Sequence, residues 1–164
     1  METGAVEEGG GRSGRRVPPA AAALGAAGLL PPLLAIAARL TAGITGDVQL
    51  QHFAMLVGLQ YVGLILSFLG GLWWGIAVAK LPADRVSPWL ALAVLPSLAA
   101  LGVHVLSNWF PGPSVVLLAL CVLATLLVDR RLAREGLAPR WWMRLRVPLS
   151  AGLAVLTLVL AALL

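Results

Sequence analysis

Residues 61–75 read YVGLILSFLGGLWWG. Every fourth position from Gly63 is small: Gly63, Ser67, Gly71 and Gly75. Four-residue steps return to nearly the same face of an α-helix, so these side chains form one slowly winding groove. Leu64, Ile65, Leu66, Phe68, Leu69, Leu72 and two tryptophans cover the rest of the surface. A helix with one bare stripe and oily flanks suits a bilayer, where small residues let a neighbouring backbone approach closely. The stretch therefore predicts a packing hub in a multi-span, all-α membrane protein. The groove seats either another helix of this chain or a second chain. In both cases Gly71→Leu is expected to damage fold or assembly.

Composition agrees with that class. The 164 residues are 60% hydrophobic and 12% charged, with a mean hydropathy of +0.93. Soluble domains carry about 25% charged residues. The pI near 11.1 would suit nucleic acid, but the basic residues sit between oily segments. That pattern marks membrane topology and anionic lipid headgroups instead. The single cysteine, Cys121, lies in an apolar run and excludes an intramolecular disulfide or a multi-cysteine metal site.

Outward from the hub, residues 1–19 are rich in Gly, Glu and Arg without hydrophobic period and predict a disordered tail. The membrane domain covers residues 20–164, with spans at about 20–38, 53–79, 88–107, 114–128 (helix continuing to 135) and 147–164. Pro31 and Pro32 predict a kink or break in the first span. A rival reading takes that span as a secretory signal, with Arg15 and Arg16 before the Ala/Leu run and Ala35-Ile36-Ala37 as a cleavage motif. Residues 39–52 read as a polar connection. Gly136 supplies the left-handed stop after the fourth helix, with Leu137 placed for the accompanying contact and Pro139 beyond.

Five spans put the termini on opposite sides. Eleven of the twelve lysines and arginines then fall on the amino-terminal side, and Arg39 alone on the other. The positive-inside rule makes the amino terminus cytoplasmic and the carboxyl terminus external, in a bacterial inner membrane.

With the spans placed, LGAAGLLP (24–31), the hub (61–75), PSLAAL (96–101) and DRRLAREGLAPRWW (129–142) resemble the domain-of-unknown-function family 3429 and its animal relatives, transmembrane protein 69. The resemblance covers residues 20–164. It implies a small integral membrane protein without an assigned reaction. It also implies a histidine before the Trp-Gly pair of the hub, where this chain carries Trp73.

Candidate chemistry is sparse. No Asp, Glu or Lys falls within a predicted span, which argues against proton pumps and ion-coupled carriers. Ser67, Ser97, Thr125 and backbone exposed at Pro31, Pro32 or Pro96 remain as a path for a neutral solute; the plainer reading is that the prolines shape the bundle. His52 and His104, with Asp47 or Asn108, are weak candidates for a metal or haem site. His104 lies about 6 Å inside its span, at ~1.5 Å per residue, whereas His52 precedes the hub, so depth separates them. The segment 129–146 gathers Arg130, Arg131, Arg134, Arg140, Arg144 and Arg146 around Trp141 and Trp142. It predicts contact with anionic headgroups or a partner's acidic surface, or simply a topology anchor. Asp129 is expected to form an exposed ion pair with a nearby arginine, worth little. No nucleotide loop, catalytic triad or paired carboxylates occur. The sequence predicts no enzyme, no cofactor and no nucleic-acid partner. It favours a structural or accessory component of a membrane complex, with a protein partner or a second copy left open; a passive carrier or pore for a small neutral solute is the alternative.

Overall fold

In the computed structural model, residues 16–164 are described. Of the tail expected to be disordered, 1–19, residues 1–15 lie outside them, and helix begins at Pro19. The described residues form six α-helices and no strands: α1 (Pro19–Ala27), α2 (Leu30–Thr45), α3 (Val48–Lys80), α4 (Ala83–Leu106), α5 (Pro111–Arg134) and α6 (Trp142–Ala162). With α1 and α2 taken as one segment, five are long and apolar enough to cross a membrane.

The first span breaks at Gly28–Leu29. Pro31 and Pro32 have no N–H to return to the carbonyls of Ala27 and Gly28, so the i→i−4 ladder lapses there. The Gly28 carbonyl accepts instead from the Tyr61 hydroxyl of α3 at 2.7 Å. A side chain thus replaces a backbone donor, as buried backbone requires.

The expected polar connection over 39–52 is corrected. α2 runs to Thr45 and α3 begins at Val48, leaving Gly46 and Asp47 as the turn. Gly46 ends α2 at φ 71°, and Asp47 accepts from the Leu50 N–H at 3.0 Å as N-cap of α3. The polar residues that suggested a loop bond within the helices. Thr41 and Thr45 donate to the carbonyls of Ala37 and Thr41, and Gln51 donates to Ala42 across the turn at 3.2 Å.

Other boundaries shift less. Pro82 caps α4, and Pro88 and Pro96 lie inside it. α5 ends in a double-bonded left-handed turn. The Leu137 N–H reaches Leu132 O at 2.9 Å and the Gly136 N–H reaches Ala133 O at 3.3 Å, with Gly136 at φ 71°. Lys80, at the end of α3, donates to Leu137 O at 2.6 Å and ties the two helix ends together.

Two buried clusters hold the bundle. The central one joins Val62 and Leu66 of α3 to Val103, Leu118, Val122 and Leu153. The other, where α3 and α5 end, joins Trp73, Ala77, Trp89, Ala93, Leu132 and Leu137. Leu64, Phe68, Leu98, Leu101, Leu120 and Leu127 point outward and are exposed. Apolar surface on this scale suits hydrocarbon surroundings rather than water.

Candidate functional site

Asp129 lies on α5 one turn beyond Thr125, so the two share a face. That face turns inward. Asp129 is 0% exposed and Arg146, in the first turns of α6, only 7%. Arg146 Nε donates to Asp129 Oδ2 at 2.7 Å, and its Nη2 donates to Thr125 Oγ1 at 3.2 Å. The other carboxylate oxygen, Oδ1, accepts two indole N–H groups, from Trp73 at 3.0 Å and Trp142 at 3.2 Å. The Thr125 hydroxyl in turn donates a hydrogen bond to Val122 O at 2.6 Å. Three helices thus converge on one carboxylate, and both of its oxygens are engaged.

This overturns two expectations. Asp129 is not a surface residue paired with an adjacent arginine, and one acidic residue does lie buried in a span. The polarity of Arg130 and Arg131 hid it, since the helix continues through both and they are exposed while Asp129 and Leu132 turn inward. Trp142 and Arg146 are likewise removed from the expected lipid- or partner-facing set, because their polar atoms are spent inside. Trp73 occupies the place where the resemblance implied histidine, and its N–H serves as a donor to the carboxylate.

The remaining arginines sit at the same end of the bundle but outside. Arg130, Arg134, Arg140 and Arg144 are exposed. Arg131 lies 5.0 Å over the Trp89 ring and pairs with Glu135 at 2.8 Å. Trp141 is half-buried beside Trp142, ring centroids 6.0 Å apart.

The small-residue groove is only partly used within the chain. Gly63 is buried, and a Cβ there would stand 2.7 Å from His104 Cε1, so this glycine makes room for an imidazole rather than a backbone. Ser67 is half-buried. Gly71 and Gly75 have nothing within 4 Å of a Cβ, which corrects the expectation that they seat another helix of the chain. The close backbone approach falls at Gly70, where a Cβ would collide with the Ala93 carbonyl oxygen of α4. Pro96 lies against the same spot.

The two histidines are not brought together. His52 is exposed in the first turns of α3, its Nδ1 2.9 Å from Val48 O. His104 is seated on Gly63, with Nδ1 2.7 Å from Ala100 O. Asp47 is spent as a cap, and Asn108 donates to Val105 O at 3.0 Å. No group of three or more His, Cys, Asp or Glu side chains suited to a metal converges among the described residues.

Beside the buried carboxylate a cleft of about 490 Å³ opens between α1, α3 and α6. Leu24, Phe68 and Leu72 supply apolar wall; Trp142 and Arg146 border it, and Tyr61 and Ser150 lie along it. Ser150 is 2% exposed, and its Oγ has no hydrogen-bond partner. No stretch of sequence marks this cleft, because its walls come mainly from three separate helices, α1 and α6 more than a hundred positions apart.

The family model described as "Protein of unknown function (DUF3429)" matches residues 17–163. The chain belongs to DUF3429. Comparison with curated proteins and with solved structures found no match. In this DUF3429 chain the matched residues include all six helices, so the buried carboxylate, its donors and the cleft all lie within the family region.

Proposed function

We propose that this protein is a non-enzymatic accessory or assembly component of a bacterial inner-membrane complex, with its amino terminus in the cytoplasm and its carboxyl terminus outside. One observation carries the reading. The buried charge pair is fully engaged, with Asp129 held by Arg146, Trp73 and Trp142. A carrier coupled to ions needs an ionisable group that exchanges its partner during transport. This carboxylate is instead a clamp on three helices.

The orientation rests on the basic residues that the fold gathers at one end, among them Lys80, Arg85 and Arg130 to Arg146. Exposed Arg130, Arg134, Arg140 and Arg144 form a rim suited to anionic headgroups or to an acidic partner surface.

A second reading draws on the cleft: passive passage of a small neutral solute along α1, α3 and α6. Affinity purification in mild detergent separates the two. The accessory role predicts a stoichiometric heteromeric partner that is lost in the triple variant R130Q/R134Q/R140Q while reporter fusions keep the same topology. A solitary protein that accelerates neutral-solute entry into liposomes would replace that role with the second reading.

A further inference from the structure

We infer that the small pocket where α4 ends and α5 begins, closed on its third side by α3, is a binding site for one water molecule. That water donates to His104 Nε2, accepts from the Ser114 hydroxyl, and so joins α4 to α5 through a hydrogen-bonded bridge.

The imidazole carries the argument. A neutral ring has one proton for its two nitrogens. His104 Nδ1 lies 2.7 Å from Ala100 O, and a carbonyl only accepts, so the proton is on Nδ1 and Nε2 is a bare acceptor. Nε2 is buried and has no partner. An acceptor shut away from water without a donor is unfavourable. The ring is not free to turn away, because Nδ1 is tied to its own helix and the Cε1 edge rests on Gly63, where a Cβ would stand 2.7 Å off.

The pocket offers few donors. Leu59, Val115 and Leu118 supply apolar wall, and Ser107 and Ser114 bring hydroxyls. Ser107 has given its proton to His104 O at 2.7 Å, although its oxygen can still accept. Ser114 is 0% exposed, and its Oγ also lacks a partner. The two orphaned atoms therefore line one pocket without bonding each other. A serine could turn back to the carbonyl one turn earlier, here that of Phe110, which already accepts from the Ser114 N–H at 3.0 Å. The ring nitrogen has no such retreat, and it is the ring nitrogen that requires an incoming donor.

Size then selects the guest. The pocket leaves about 10 Å³ to the centre of a water-sized molecule, at the lower end of the ~10–15 Å³ that one water needs on this measure. A larger solute does not fit. A buried water also needs about two to four polar partners, and three are present. One water hydrogen goes to Nε2 and the other to Ser107 Oγ, while a lone pair takes the Ser114 proton. Every polar atom of the pocket is then satisfied.

The test is a crystal structure of the full chain grown in a lipidic mesophase at mildly alkaline pH, joined to nitrogen-15 spectra of the histidine rings in micelles. The expected results are one ordered water within about 3.2 Å of both Nε2 and Ser114 Oγ, and a His104 ring protonated at Nδ1 alone. A proton on Nε2, a direct Ser114–Nε2 bond, or Ser114 turned to Phe110 with nothing at Nε2 would each overturn the inference. In solution, cross-relaxation from water to the carbon-bound ring protons of His104 reads the same site. Ser114→Ala should weaken these signals but keep them, since Nε2 and Ser107 still hold the water; their complete loss would trace them to the serine hydroxyl and sink the proposal. Ser114→Val fills the space and should abolish them, with thermal unfolding reporting whether the bundle is intact. Persistence of the signals in a folded Ser114→Val protein would equally overturn the site, and if that variant does not fold, Ser114→Ala decides.

Discussion

Single residues decide where the helices of this bundle meet, and adjacent glycines illustrate how. Gly70 lies under the Ala93 carbonyl of α4, whereas Gly71 faces open space. Gly70→Ala forces a methyl group into a backbone atom that cannot swing aside, so a loss of about 1–3 kcal/mol is expected, the usual range for overpacking. Gly71→Ala meets nothing and gains helix propensity, worth up to ~1 kcal/mol. Reversible unfolding in mixed micelles checks the pair: Gly70→Ala should unfold earlier than wild type, and Gly71→Ala no earlier. Gly71→Leu is likewise expected to fold normally. The small-residue period pointed to the right helix and, except at Gly63, to a face that no other helix of this chain covers closely. A period of four drifts round a helix of 3.6 residues per turn, so spacing alone does not say which neighbouring glycine lies beneath the crossing backbone. That choice is made by Pro96 and Ala93, about one span away in sequence.

Elements begin and end where backbone donors run out, and most of those places were legible. The stop at Gly136 was readable because a glycine, an apolar residue and a proline follow one another in the order a left-handed turn requires. Gly136→Ala should cost about 1–2 kcal/mol, since a Cβ disfavours φ 71°; thermal unfolding compared with Gly112→Ala, at a position open to a Cβ, isolates the backbone effect. The break before Pro31 was also legible, but its remedy was not. Nothing in the sequence joins Tyr61 to Gly28, thirty-three positions earlier. Tyr61→Phe leaves that carbonyl unpaired, a penalty of about 1–3 kcal/mol. Because α1 has no buried residue of its own, the loss should appear locally. Hydrogen exchange is expected to quicken over residues 19–33 while the central helices stay protected. The turn at Gly46–Asp47 was misread for a related reason: threonines and glutamine look like loop, yet each found a carbonyl within a turn or across it.

At the scale of the whole molecule, the buried carboxylate connects elements that the chain order keeps apart. Trp73 on α3, Asp129 on α5 and Trp142 and Arg146 on α6 are held at one point, the carboxylate taking three donors from two other helices. The sequence exposed the parts but not the assembly, because six arginines in the segment 129–146 compete on paper for one aspartate and only packing chooses among them. Burial gives the arrangement an asymmetric energetics. Removing one partner strands the other charge away from water, so Asp129→Ala is expected to destabilise by about 3–5 kcal/mol. Arg146→Met should cost a similar amount, because the carboxylate keeps its two indole donors but loses its counter-charge. Removing both charges with apolar residues of similar size, Asp129→Leu with Arg146→Met, deletes the attraction and the desolvation penalty together, and should bring stability back to within about 1 kcal/mol of wild type. Trp73→Phe tests the same point from α3. It keeps most of the ring's packing and removes one hydrogen bond to a charged group, an expected loss of about 1.5–3 kcal/mol. Added to Asp129→Leu with Arg146→Met, Trp73→Phe should cost less than it does alone, since its acceptor is gone. A thermodynamic cycle over these variants, read by unfolding in mixed micelles, decides whether the site is a clamp. If Asp129→Ala and Trp73→Phe both unfold where wild type does, the carboxylate holds nothing together, and the clamp account of it fails.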